Sequence, residues 1–253
     1  MSASFPAVIS LSLRELYRWY ANGDHWSGSH GIPHRLEEHV AMSLAVVATA
    51  LLIGLPVGLL IGHTNRGAIV GVNLANIGRA IPSFAILVIG VQLFHIGARP
   101  AFLALLALAI PPIVTNASVG IREVDPDVRE AAKGMGMTGW QMLRKVELPL
   151  AIPLVMAGVR TAAVQVVATA TLAAVVAWGG LGRYIIDGIG QQDSGQLLGG
   201  ALLVVALSLA TEIGLGAAQR ARTPAGLRQA SALPGAAVAS IGAGEVETVA
   251  PVS

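Results

Sequence analysis

Apolar residues gather in long blocks along this chain, separated by shorter polar stretches. Five such blocks lie at about residues 40–62, 81–96, 101–121, 150–177 and 197–217, and each is read as a membrane-spanning helix. The first, at 1.5 Å per residue, covers roughly 34 Å, enough for a hydrocarbon core with some tilt. Gly54, Pro56, Gly58 and Gly62 in its second half predict a kinked helix packed closely on its neighbours. Pro82 opens the second block with a half-helix ahead of it, and Pro111-Pro112 is expected to interrupt the third. Residues 63–80 read as a polar connector, and 178–184 as a glycine-rich loop with interface aromatics. Leu11 to Tyr20 carries Tyr17, Trp19 and Tyr20 and predicts a short amphipathic helix at the membrane surface. The domain plan is a mixed segment 1–39, a membrane domain 40–220, and a tail 221–253. That tail is rich in Ala, Gly, Pro and Ser without periodicity, so it is expected to be disordered.

The exception to this apolar monotony is the loop 122–149. Asp125 is placed to cap a helix that has Pro126 at its first position, where a missing N–H costs nothing. Asp127 and Glu130 put negative charge near that helix N-terminus. Gly134 and Gly136 permit positive φ or close approach and break the helix. Thr138 with Gln141 three residues on predicts a capping box for a second helix, which Pro149 is expected to help end. A capped helix–turn–helix in a polar loop of a membrane protein predicts a docking knob for a soluble partner.

Composition agrees with the pattern. Of 253 residues 54% are hydrophobic and only 12% charged, far below the quarter or so charged in soluble domains. The net charge of +2 gives no case for nucleic acid as a partner; the lipid bilayer is the expected one. Zero cysteines exclude disulfides and thiolate chemistry, and the first residues show no signal-peptide pattern. Five spans put the ends on opposite sides. With loop 122–149 inside, ten Lys and Arg share its side against five outside. The positive-inside rule then places that loop in the cytoplasm, the N-terminus outside and the C-terminus inside.

Candidate chemistry is sparse. His25, His30, His34 and His39 fall close together, but their spacing is irregular, no HExxH occurs and Pro33 intervenes; a hydrated loop is favoured over a metal site. Neither lysine is followed by Ser or Thr in a glycine-rich loop, so there is no P-loop. No catalytic residues are found, and any driving energy is expected from another chain or from an ion gradient. Thr161, Gln165 and Thr169 recur every four residues on one face; lining a translocation path and bonding to neighbouring helices stay open as readings. Arg160 is costly inside a membrane unless paired, and Glu212 is a candidate partner.

Glu130-Ala131-Ala132, three residues, Gly136, nine residues, then Val146-Glu147-Leu148-Pro149 closely resembles the EAA coupling loop of ABC-importer permeases. Val146 stands where that pattern usually has Ile. Gly78 to Ser83 and Gly179 to Gly182 are similar to the same family, and Val124 to Pro126, Gly134 to Thr138 and Met156 to Thr161 look most like its osmoprotectant branch. The resemblance implies an all-α integral membrane protein with a five-transmembrane-helix, MetI-like permease core and a cytoplasmic coupling helix-turn-helix. It implies a non-catalytic subunit in the plasma membrane, working with a second permease subunit, cytoplasmic ATPase subunits that bind ATP and Mg, and an external substrate-binding protein. No cofactor is expected on this chain. The implied cargo is glycine betaine, choline or carnitine, with an amino acid or other small zwitterion as alternative. The implied ATPase-coupling residues are Glu130, Ala131, Ala132, Gly134, Gly136, Trp140, Leu143, Leu148 and Pro149, with Trp140 and Leu143 as apolar anchors. An ion-coupled secondary transporter is the competing class; no internal repeat supports it.

Overall fold

The computed structural model describes residues 5–64 and 83–222, and the described residues contain helices and no strand. Following α1 (Phe5–Ala21) and a 3-10 turn at Gly23–Trp26, the chain forms α2 (Ile32–Thr64), α3 (Ser83–Phe94), α4 (Ala98–Arg122) and α5 (Pro126–Gly134). Then come α6 (Gly139–Met142), a π turn (Leu143–Glu147) and α7 (Leu148–Thr169), which runs on as a 3-10 stretch (Ala170–Val176). α8 (Gly182–Gln191) and α9 (Ser194–Arg222) complete it. Among the described residues, four helical runs are long and apolar enough to cross a membrane: α2, α4, the continuous run 139–176, and α9.

Glycine spacing sets the packing. Val46, Ala50, Gly54, Gly58 and Gly62 form the buried stripe of α2, one residue every four. A Cβ at Gly54 would meet Ile113, one at Gly58 would fall 2.7 Å from Ala117, and one at Gly62 would fall 2.7 Å from Ile121. Both series climb by four, so α2 and α4 run parallel with backbones in close approach, the arrangement that small residues permit between membrane helices. In contrast, Gly120 of α4 faces Ala151 and Leu154, while Gly158 of α7 faces Asn116 and Pro112, so these helices are antiparallel. α9 in turn runs antiparallel to α7. α2 therefore begins at the end of the bundle opposite the charged loop, and α9 finishes at the loop end. Parallel α2 and α4 require a return between them, and α3 lies in it.

Several sequence expectations are corrected. α2 begins at Ile32 rather than 40, and α9 continues to Arg222, past the expected tail boundary. α3 has 12 residues and alone covers about 18 Å, less than the span read at 81–96. Pro111-Pro112 does not interrupt α4, which is helical from Ala98 to Arg122. Both prolines are buried, Asn116 Nδ2 donates to the Pro112 carbonyl at 2.8 Å, and Gly158 leaves room for both. The packed neighbour braces a stretch that proline would otherwise weaken. Nor does Pro149 end a helix: α6, the π turn and α7 form one rod. The wide π turn relieves the clash that the Pro149 ring makes with the carbonyl four residues back in a regular helix. The glycine-rich stretch after residue 178 contains the helix α8 as well as a loop. The half-helix ahead of Pro82, most of the 63–80 connector, and the tail beyond Arg222 lie outside the described residues.

Candidate functional site

The charged loop is built as its sequence chemistry dictates. Asp125 accepts from the Asp127 amide at 2.9 Å and Pro126 starts α5. At the other end, Met137 N–H donates to the Ala132 carbonyl (3.2 Å) and Gly136 N–H to the Lys133 carbonyl (2.9 Å). With Gly136 at φ +77° this is a Schellman cap, in which one left-handed residue lets two end carbonyls be satisfied. Thr138 and Gln141 cap α6 reciprocally: the Gln141 amide donates to Thr138 Oγ1, and Gln141 Oε1 accepts from the Thr138 amide.

The two faces of the loop differ sharply. Ala132 is buried and anchors α5 from below, whereas Glu130, Ala131, Gly134 and Gly136 are exposed. Trp140 is 65% exposed and Met135 71%. The Arg144 guanidinium lies 5.5 Å from the centre of the Trp140 ring, a cation–π contact. Trp140, Gln141, Arg144 and Lys145 line a surface recess of ≈ 360 Å³. Leu143, unlike Trp140, faces the bundle. It is 8% exposed and packs with Ala117, Ile121, Ala151 and Val155, because residues 143, 147, 151 and 155 share the inward face of the rod. Leu148 and Pro149 are half-buried along the same rod. Met135, which the sequence does not single out, is a second exposed apolar group beside Trp140, legible only as a bulky residue flanked by the two turn glycines.

Sequence reasoning also misses Glu147 as a site. It is fully buried, where an unpaired carboxylate costs several kcal/mol. Its Oε2 accepts from His63 Nδ1 at 2.6 Å, so Nδ1 carries the hydrogen. Its Oε1 lies 3.3 Å from Arg129 Nε, and Arg129 Nη2 donates to the Ile121 carbonyl. No linear signal joins His63 to Glu147, 84 positions apart.

On α7, Thr161 is exposed and Gln165 and Thr169 are half-buried. Among the described residues, none of the three side chains bonds to a neighbouring helix. Arg160 and Glu212 are brought together, Nη2 to Oε1 at 2.5 Å. Arg160 also donates to Gln219 Oε1 at 3.3 Å, and Gln219 Nε2 donates to the Pro153 carbonyl at 3.0 Å.

Residues 41–222 match the family described as binding-protein-dependent transport system inner membrane component. The chain belongs to that family. This permease is 36% identical over 195 residues to the glycine betaine/carnitine/choline transport system permease protein OpuCB of Bacillus subtilis, covering 77% of this chain and 90% of that one. It is 37% identical to the choline transport system permease protein OpuBB of the same organism (78% and 90% covered). It is 35% identical to the osmoprotectant import permease protein OsmW of Salmonella typhimurium (76% and 91%). The fold is similar to a chain of the MetNI methionine ABC transporter in an inward facing conformation, with a TM-score of 0.67, 26% identity, and 74% and 94% of the two chains covered. The permease is thus a multi-pass inner-membrane transport component, not an enzyme, and the ion-coupled alternative falls away with the family.

At the end away from the loop, the permease is tied by Glu38. Its Oε2 accepts from the Gly180 amide at 2.7 Å and from Arg35 Nη1 at 2.8 Å. Of the four histidines expected in a hydrated loop, His25 and His30 lie in the turns before α2, and His30 is exposed. His34 and His39 lie in α2, and His39, 2% exposed, donates from Nε2 to the Val167 carbonyl at 2.9 Å. A helix begun eight residues earlier than its apolar pattern carries His39 into the bundle and leaves His34 exposed on its surface. Tyr184 donates to the His30 carbonyl at 2.6 Å, and burial pushes its hydroxyl pKa up to about 12. For the permease's Arg160–Glu212 pair, Glu212→Arg is expected to lower its unfolding temperature in detergent, and Arg160→Glu in the same chain to restore most of it. Strictly additive losses would show that the pair contributes nothing.

Proposed function

We propose that this permease forms the translocation path for a small osmoprotectant, glycine betaine, choline or carnitine, in an ATP-driven importer. The observation that carries the substrate class is the 35–37% identity to relatives named for these compounds, over about nine-tenths of their length. The likeness to a methionine transporter chain keeps an amino acid or another small zwitterion as the second reading. The working unit pairs two permease subunits, identical or related, with two cytoplasmic ATPases and an external substrate-binding protein. Loop 122–149 faces the cytoplasm, the N-terminus lies outside, and the C-terminus lies inside. ATP and Mg bind the ATPase, and no cofactor is needed here.

The loop supports this assignment physically. Two helices, each capped at its own start, present Met135, Trp140 and Val128 to solvent, which suits insertion of a helix into a groove on a soluble partner. The continuous rod from α6 into α7 gives a rigid lever. Thr161, Gln165 and Thr169 present hydrogen-bonding groups on the face of α7 left free within one chain, fitting a polar path between two permease copies.

The decisive experiment is uptake of labelled glycine betaine by the complex reconstituted in vesicles. Uptake should require ATP inside and the binding protein outside. Uptake without ATP would sink the importer assignment, and transport of an amino acid in its place would select the second reading. Trp140→Ala should weaken capture of the ATPase by the permease about tenfold, as loss of a central aromatic anchor does. Unchanged capture would remove Trp140 from the interface.

A further inference from the structure

Four elements converge at the loop end of the bundle, and a single carboxylate links them. Glu147, fully buried, closes the π turn between α6 and α7. It accepts from His63 in the last turn of α2 and lies against Arg129 of α5. Arg129 in turn donates to the carbonyl of Ile121 in the last turn of α4. Around these groups the packing is apolar: Ala117, Ile121, Leu143, Ala151 and Val155, with Leu55 and Leu59 of α2 set on the cluster.

We propose that Glu147 is a positioning residue for transport, the joint through which a displacement of the charged loop is handed to α2. The proposal rests on reading that loop as the ATPase docking element. A push on α6 reaches α7 through the backbone, because the rod is continuous. α2 has no such route, since 84 positions of chain separate His63 from Glu147. α2 packs on α4 and is bonded to α7 through His39 at the far end, while at the loop end its polar link to the rod is His63–Glu147. A buried carboxylate cannot leave its partners without standing unpaired in an apolar setting, so His63 and Arg129 must travel with it. The π turn fits this role: buried Glu147 is its last residue, and such turns recur where helices bear function.

The test uses the full transporter in vesicles, comparing wild type with E147Q, which keeps the shape of the side chain and removes its charge. The readout is substrate taken up per ATP hydrolysed, a ratio from which any inactive fraction cancels. E147Q is expected to hold the ATPase and hydrolyse ATP as wild type does, while uptake per ATP falls about tenfold. An unchanged ratio would overturn the proposal. Should E147Q fail to assemble, H63Q decides, because it leaves the Arg129–Glu147 contact in place. It should lower the same ratio with the complex intact, and a wild-type ratio in H63Q overturns the joint. If the wild-type permease captures no ATPase, the docking assignment itself falls, a result distinct from a coupled E147Q complex.

Discussion

Gly58→Leu is expected to yield no monodisperse permease in detergent, whereas Gly214→Leu should behave as wild type. A Cβ at Gly58 would fall 2.7 Å from the Ala117 Cβ and 2.7 Å from the Val114 carbonyl oxygen, atoms of a packed helix that cannot swing aside. A Cβ at Gly214 meets nothing within 4 Å. Forcing extra methylenes into a packed interior costs about 1–3 kcal/mol even where neighbours can adjust. Here four carbons would wedge apart the parallel α2–α4 pair along which Gly54 and Gly62 also close. Against total stabilities of about 5–15 kcal/mol for folded domains, that is enough to lose the bundle. Gly58→Ala should give an intermediate result, a lowered midpoint in thermal unfolding. Size-exclusion profiles of the four proteins check this, and a Gly58→Leu peak matching wild type would mean α2 and α4 are not packed this way.

The second large effect is Gly136→Asp, which should leave the permease folded and inserted while abolishing uptake and capture of the ATPase. Magnitudes separate the two outcomes. Gly136 holds φ +77° with open space where a Cβ would stand. Aspartate tolerates that region better than most residues, and the strain is on the order of 1 kcal/mol. A cost of this size shifts an unfolding midpoint by a few degrees and cannot by itself empty the folded state. Complete loss of transport must therefore come from what the turn fits into: a carboxylate placed at the tip of a docking knob, between Met135 and Trp140. Gly136→Ala, with nearly the same strain and no charge, should retain part of the uptake. Normal uptake by Gly136→Asp would remove the turn from the docking surface.

The loop is legible in the sequence because its determinants are local. Asp125-Pro126, Gly136, and Thr138 with Gln141 each act within five residues, and each sits in the structure where its chemistry requires. Misreadings arise where a local rule meets a packed neighbour. Pro111-Pro112 and Pro149 read as breaks along the chain, yet Gly158 braces the first and the π turn accommodates the second. The apolar pattern marks where α2 enters hydrocarbon, not where its backbone becomes helical. His34 and His39 therefore read as solvated, although His39 is bonded to Val167. Leu143 and Trp140 look equivalent as apolar residues of one helix. Their different directions around the helix bury the first and expose the second.

Hydrophobic block length, glycine and proline placement, and the capping residues of loop 122–149 determined by themselves that this is a helical membrane protein with a capped loop. Those signals act over one or two helical turns, so they survive in a linear reading. The tertiary structure alone decided that α2 and α4 run parallel at backbone contact and that α6 and α7 form one rod. It also decided that His63, Arg129 and Glu147 share a buried site. Each of these depends on which distant segments face one another, and a buried charge reveals its partners only once the chain has brought them within reach.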